Sequence, residues 1–126
     1  MSIKIIVDLA KSPRVILTRN EALDLLECLE EPAWSTRDLE EAIRIIENFD
    51  EFYNYARKKF EEYITPPKDS RDSILGRVIV HKLKLFKEND KELVEIVFDR
   101  RFNIEHIEKC LKDIGYNEVE VERQLI

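Results

Sequence analysis

His106 and Cys110 stand one helical turn apart, which puts two metal-ligating side chains on neighbouring positions of one helix. With His81 and Cys28 supplied from elsewhere in the chain, they would make a tetrahedral zinc site. Spacing alone does not assemble it. On the helical wheel Cys110 borders the apolar stripe and His106 lies nearer the flank, so a packed thiol, a solvated imidazole and no metal are expected. Cys28 also falls inside an apolar helical pattern, where cysteine serves as a small hydrophobe. A Cys28–Cys110 bridge is the lesser alternative, open because intracellular proteins of hyperthermophiles carry disulfides.

His81 lies in Arg77–Phe86, whose alternation puts Ile79, His81, Leu83 and Leu85 on one strand face. A histidine on that apolar side needs a hydrogen-bond partner or loses its charged form. Beside an acid it could act as a general base, but the sequence places no carboxylate next to it. With only Gly76 and Gly115, the chain has no glycine-rich phosphate loop. Serine nucleophile elbows and zincin helices are absent as well. Catalysis therefore has little support, and no cofactor is expected.

A net charge of −6 argues against general nucleic-acid affinity, which depends on neutralising phosphates. The charge is uneven, however. Residues 19–64 carry six basic and thirteen acidic side chains, whereas 65–87 carry six basic and two acidic. Lys68, Arg71, Arg77, Lys82, Lys84 and Lys87 are thus candidates for a local nucleic-acid patch. Lys82 is also expected to pair with Glu95, and no aromatic residues interleave these lysines as a stacking platform would require. Reading residues 2–47 as a winged helix is a second route to nucleic acid, weakened by the acids of its recognition helix.

These residues need elements to position them. Lys87, Glu88, Asn89 and Asp90 are read as a four-residue hairpin loop, so that Leu83 faces Val94, His81 faces Ile96 and Ile79 faces Phe98. Asn103 caps a helix with the stripe Ile104, Ile107, Leu111 and Ile114, Phe102 staples it, and Gly115 stops it. Asn117–Arg123 alternates as a final strand. Toward the front, Thr18 and Glu21 form a capping box, and Ser35 with Asp38, preceded by Trp34, opens a second helix. Ile3–Val7 and Val15–Leu17 fit either a helix or short strands, and strands are favoured. Residues 65–76 read as a polar loop.

The least ordinary feature runs over about 36–64, where Leu39, Ala42, Ile46, Phe49, Tyr53, Ala56, Phe60 and Tyr63 recur at alternating spacings of three and four. One helix of that length spans ~43 Å, against a diameter of about 35 Å for a compact chain of this size. It should protrude, bend near Asn48, Asp50 and Asn54, or find a partner. Phe49, Phe52, Tyr53, Phe60 and Tyr63 are therefore interface candidates, and a homodimer is the expected partner state.

Residues 1–126 are expected to form one α+β domain, an antiparallel sheet with helices on one face in the ferredoxin-like order strand–helix–strand–strand–helix–strand. Its halves would be a mainly helical 1–64 and a strand–strand–helix–strand 77–126. No apolar run is long enough for a membrane span, and the start carries a charge inside its apolar run with no small-residue cleavage site. The expectation is a cytoplasmic protein. Abundant Glu, Lys, Arg and Ile with little Gly and Gln suggest a thermophile, or a virus within its cells. The functional expectation is a self-associating interaction or scaffold protein, with a nucleic-acid-binding regulator as the alternative.

Overall fold

The computed structural model describes residues 2–8, 11–30 and 35–124. Its β-branched opening forms β1 (Ser2–Val7) and β2 (Pro13–Thr18), where stiff χ1 angles favour extended backbone. The winged-helix reading is thereby overturned, because it requires a helix where these strands lie. Thr18 closes β2 and caps α1 (Arg19–Leu29). Its hydroxyl accepts from the Glu21 amide, and the Glu21 carboxylate accepts from the Thr18 amide, completing the capping box.

α2 (Arg37–Glu47) is capped by Thr36, whose hydroxyl accepts from the Leu39 amide, while Ser35 donates to Glu40. The staple assigned to Trp34 lies outside the described residues. The single helix expected over 36–64 is not formed. Asn48 leaves helical geometry and spends its amide side chain on the Arg44 carbonyl, so that α3 (Phe49–Lys58) starts as a separate helix. α3 ends where Phe60 turns left-handed at φ 55° and the Glu61 amide donates to the Ala56 carbonyl. Past that turn the chain is extended, and Ile64 exchanges backbone hydrogen bonds with Leu83.

The stretch read as a loop contains α4 (Ser70–Ile74), capped by Asp69. Next come β3 (Val80–Glu88) and β4 (Lys91–Phe98), joined by two residues rather than four. Asn89 and Asp90 both take positive φ, as a type I′ turn requires. The pairing accordingly moves by two residues: Leu83 opposes Ile96, Leu85 opposes Val94, and Lys84 rather than Lys82 opposes Glu95. A two-residue shift preserves which face each side chain takes, so Leu83, Leu85, Val94 and Ile96 still point into the core. His81 does not. A bulge between Val80 and Lys82 turns it outward, and Val80 takes the buried position instead. Asn103 then caps α5 (Ile104–Asp113), Gly115 follows at φ 122°, and β5 (Glu118–Arg123) is the last of the described elements.

The strand order is β3-β4-β2-β1-β5. All neighbours are antiparallel except β1 and β5, so the sheet is mixed, and the all-antiparallel, ferredoxin-like arrangement is corrected. The cause is the strand at the very front. It folds back on β2 and lies between β2 and β5, where the expected order had no strand. Alternate residues of the sheet, among them Ile5, Leu17, Leu83 and Ile96, join Leu25, Ile46, Phe49 and Ile107 of the helices in one core cluster. Arg14, Ile16, Lys82 and Lys84 lie on the opposite face.

Three polar anchors hold the helical layer in place. The fully buried Asp38 carboxylate accepts from the Ile79 and Val80 amides at 2.8 and 2.7 Å, tying α2 to the start of β3. Arg19 donates to the Ile46 and Glu47 carbonyls, which the end of α2 leaves without helical partners. Tyr116 donates to Glu21 and so ties the chain beyond α5 to the first turn of α1. Burial alone would raise the Glu21 carboxyl, but the Tyr116 and Thr18 hydrogen bonds outweigh it and hold the group below 4.5.

Two outcomes are expected. Asp38→Ala strands two buried amides and should lower unfolding free energy by about 3–5 kcal/mol, read from urea denaturation; a loss under about 1 kcal/mol would show that water or backbone shifts replace the carboxylate. Because Glu21 has a depressed folded-state value, its stabilisation is complete above 4.5 and is lost as pH falls through the lower folded value. Tyr116→Phe should flatten that acid limb in denaturation midpoints measured over roughly pH 3–6.

Candidate functional site

Residues 57–62 read Arg-Lys-Lys-Phe-Glu-Glu, and the end of α3 displays all six on the surface. Phe60 occupies the position after the helix cap where glycine or asparagine is usual, and a side chain there costs roughly 1 kcal/mol in the left-handed region. Its ring is 97% exposed, so no burial within the monomer offsets that cost. Tyr55, on the last turns of the same helix, is half exposed. Among the described residues, Lys58, Lys59 and Glu61 form no ion pair, and Glu62 meets Lys84 at 3.4 Å.

The other interface candidates are occupied inside the molecule. Phe49 is fully buried and stacks on Tyr53 at 5.7 Å between ring centroids. Arg57 and Lys87 cover the Tyr53 ring, and Arg44 lies over Phe52. Tyr63 donates to Glu95 at 2.6 Å, and Lys82 sits 4.2 Å above its ring. That hydrogen bond to a carboxylate, with burial adding to it, pushes the Tyr63 phenol up to about 12. The seam from Leu39 through Ala56 thus faces the protein's own core, and of the five candidates Phe60 alone is left fully exposed.

The basic candidates do not gather on one surface. Lys82 and Lys84 lie on the open sheet face, over Tyr63 and Phe86 respectively. Lys87 pairs with Asp50 on the α3 side. Lys68 donates to the His81 carbonyl; desolvation pushes its ammonium down, against the pull of Asp38 and Asp99. Arg71 is exposed on α4, and Arg77 follows Gly76 at the rim of a cleft beside α5. His81 lies near Lys68, Lys82 and Asp99: desolvation, then the two lysines, hold its imidazole below the ordinary value against the pull of Asp99.

Cys110 is bonded to Cys28, with Cα atoms 5.8 Å apart across 82 residues of sequence. The expectation of two packed thiols is corrected, and the thiolate that a His106–Cys110 zinc site requires is absent. Each half-pattern was apolar because each cysteine faces the core; what the pattern lacked was that α1 and α5 are neighbours. Among the described residues, no group of three or more His, Cys, Asp or Glu side chains could hold a metal ion. None of their helices is long and apolar enough to cross a membrane. Sequence reasoning missed two features: Lys109, which shares a helix face with His106, and the opposite charges flanking Phe60, which the order of residues displays.

Comparison with protein-family models, curated proteins and solved structures finds no match to this chain.

The disulfide closes a loop long enough for the chain-entropy model to assign it roughly 4.5 kcal/mol. A Cys28→Ser, Cys110→Ser double variant should lose about that much stability, and thiol titration of the unreduced, denatured protein should find no free thiol. Two titratable thiols in protein purified without reductant would contradict the bridge.

Proposed function

We propose that this chain is a self-associating interaction or scaffold protein whose protomers pair about a two-fold axis through Phe60. The observation that carries the proposal is a large apolar ring held almost wholly in solvent by a backbone conformation unfavourable to it. Such a residue lowers the stability of the monomer at the position where a partner would gain from it. The flanking charges favour a second copy as that partner. A two-fold contact is isologous, so Lys58 and Lys59 of one protomer, which form no ion pair among the described residues, would approach Glu61 of the other.

Magnitudes set the expected affinity. Burying two phenylalanine rings supplies roughly 3–6 kcal/mol, no more than the lower range of association costs. The half-exposed Tyr55 and the charge pairs must contribute as well, so the dimer should be weak and should strengthen at low salt. Composition and the Cys28–Cys110 bridge support an intracellular protein of a thermophile or its virus, where structural disulfides persist in the cytoplasm. The alternative, a nucleic-acid-binding regulator, has less support, because Lys68, Lys82, Lys84 and Lys87 are already engaged with carbonyls, rings or acids and face different directions.

Phe60→Gly separates the interface from the fold. Glycine relieves the left-handed strain, so at dilutions where the protein is monomeric the variant should be as stable as the parent, or more so by about 0.5–1 kcal/mol. Light scattering across a concentration series should nonetheless show self-association weakened about tenfold or more. A parent that stays monomeric to millimolar concentration, or a Phe60→Gly variant that associates unchanged, would overturn the proposal.

A further inference from the structure

A cleft of about 630 Å³ opens between the end of α1, the turn after α4 and one face of α5. Its size falls within the range of small-molecule sites. The Cys28–Cys110 bridge, Leu29, Ile79 and Phe102 contribute its apolar lining. Around them stand Arg77, Arg101, His106 and Lys109, with Asp113 as the one carboxylate among the described lining residues. In a chain of net charge −6, this concentrates positive potential in a concave, partly apolar place.

The cations have different tasks. Arg101 is engaged: its guanidinium bonds to Asp99 and to the Ser73 carbonyl, fixing α4 against the loop before α5. Gly76, at φ 70°, ends α4, and the Arg77 amide donates to the Asp72 carbonyl, which sets Arg77 at the mouth of the cleft. Among the described residues, neither Arg77 nor Lys109 has an ion-pair partner within 4.0 Å. Phe102 stacks on the buried Phe98 with centroids 6.0 Å apart, is met edge-on by His106 at 5.9 Å, and stays half-buried in the lining that also holds Arg77 and Lys109.

We infer that this cleft binds a small phosphate monoester carrying a flat or apolar group, of about the size of a nucleoside monophosphate. Arg77 and Lys109 would take the phosphate, Arg for its forked donors and Lys as a mobile point charge. Phe102 and the disulfide would receive the apolar part. Arg101 acts as a positioning residue by holding α4 and the turn that carries Arg77. The site is separate from the Phe60 surface, and its occupancy does not depend on self-association.

The test is titration calorimetry with AMP, adenosine and inorganic phosphate at about 20 mM salt, where screening is weak. AMP should bind with Kd below about 1 mM, and adenosine at least tenfold more weakly, because it lacks the group that Arg77 and Lys109 recognise. An Arg77→Ala, Lys109→Ala variant should lose tenfold or more in AMP affinity, while Lys4→Ala, Lys91→Ala, which removes two exposed cations outside the lining of the cleft, should leave it unchanged. Circular dichroism of both variants, expected to match the parent, separates loss of the site from loss of the fold. No AMP binding, adenosine binding as tightly as AMP, inorganic phosphate binding as tightly as AMP, or equal losses in the two variants would each overturn the inference.

Discussion

The carboxylate of Asp38 grips two consecutive backbone amides, and much of the architecture around it follows from that contact. A charged group with no solvent exposure needs donors in place of its hydration, and the Ile79 and Val80 amides both donate to Oδ2, at 2.8 and 2.7 Å, while Oδ1 is buried without a hydrogen-bond partner among the described residues. The two amides are satisfied in the same act, at the point where β3 begins. α2 is thereby held to the outermost strand of the sheet. The chain between Ile64 and Val80 must consequently turn back sharply, which brings α4 and Gly76 to the end of α5 and so shapes the basic cleft.

The helical layer is tied together chiefly at helix ends, where backbone groups lack partners. Arg19 serves two elements at once, opening α1 and meeting the last carbonyls of α2, where a positive charge also opposes the helix dipole. Asn48 allows α2 and α3 to bend so that both keep apolar residues against the sheet. The bend accounts for the fate of the seam. Its regular three-and-four spacing, which would suit a protruding coiled coil, is instead consumed by the protein's own core as far as Ala56. The excess of aromatic residues on α3 is largely absorbed by lysine and arginine side chains lying across the rings, a use of long cationic stems that suits a chain rich in charge. Phe60 is left over.

The two proposed activities use surfaces of different origin. The Phe60 surface comes from six consecutive residues and requires only that α3 end where it does. The cleft draws on α1, the turn after α4, the loop before α5 and α5 itself, and the Cys28–Cys110 bridge fastens two of its walls. Its cations converge because separate elements carry them to one place.

Much of the local structure was legible in the residues. Thr18 and Glu21, Asn103, Gly115 and the alternating strands mark their elements because caps and periodicity are decided within a few residues of sequence. The sequence by itself also determined that β3 and β4 form a hairpin, that Phe60 lies among charges of both signs, and that no glycine-rich phosphate loop exists. Only the tertiary structure decided that β1 lies between β2 and β5, that the hairpin turns on two residues rather than four, that a bulge expels His81, and that Cys28 meets Cys110. It likewise decided that Asp38 serves β3 rather than its own helix cap. The physical reason is common to all of these: each is a choice among locally equivalent arrangements, settled by which one buries the shared core while giving the backbone amides it encloses partners.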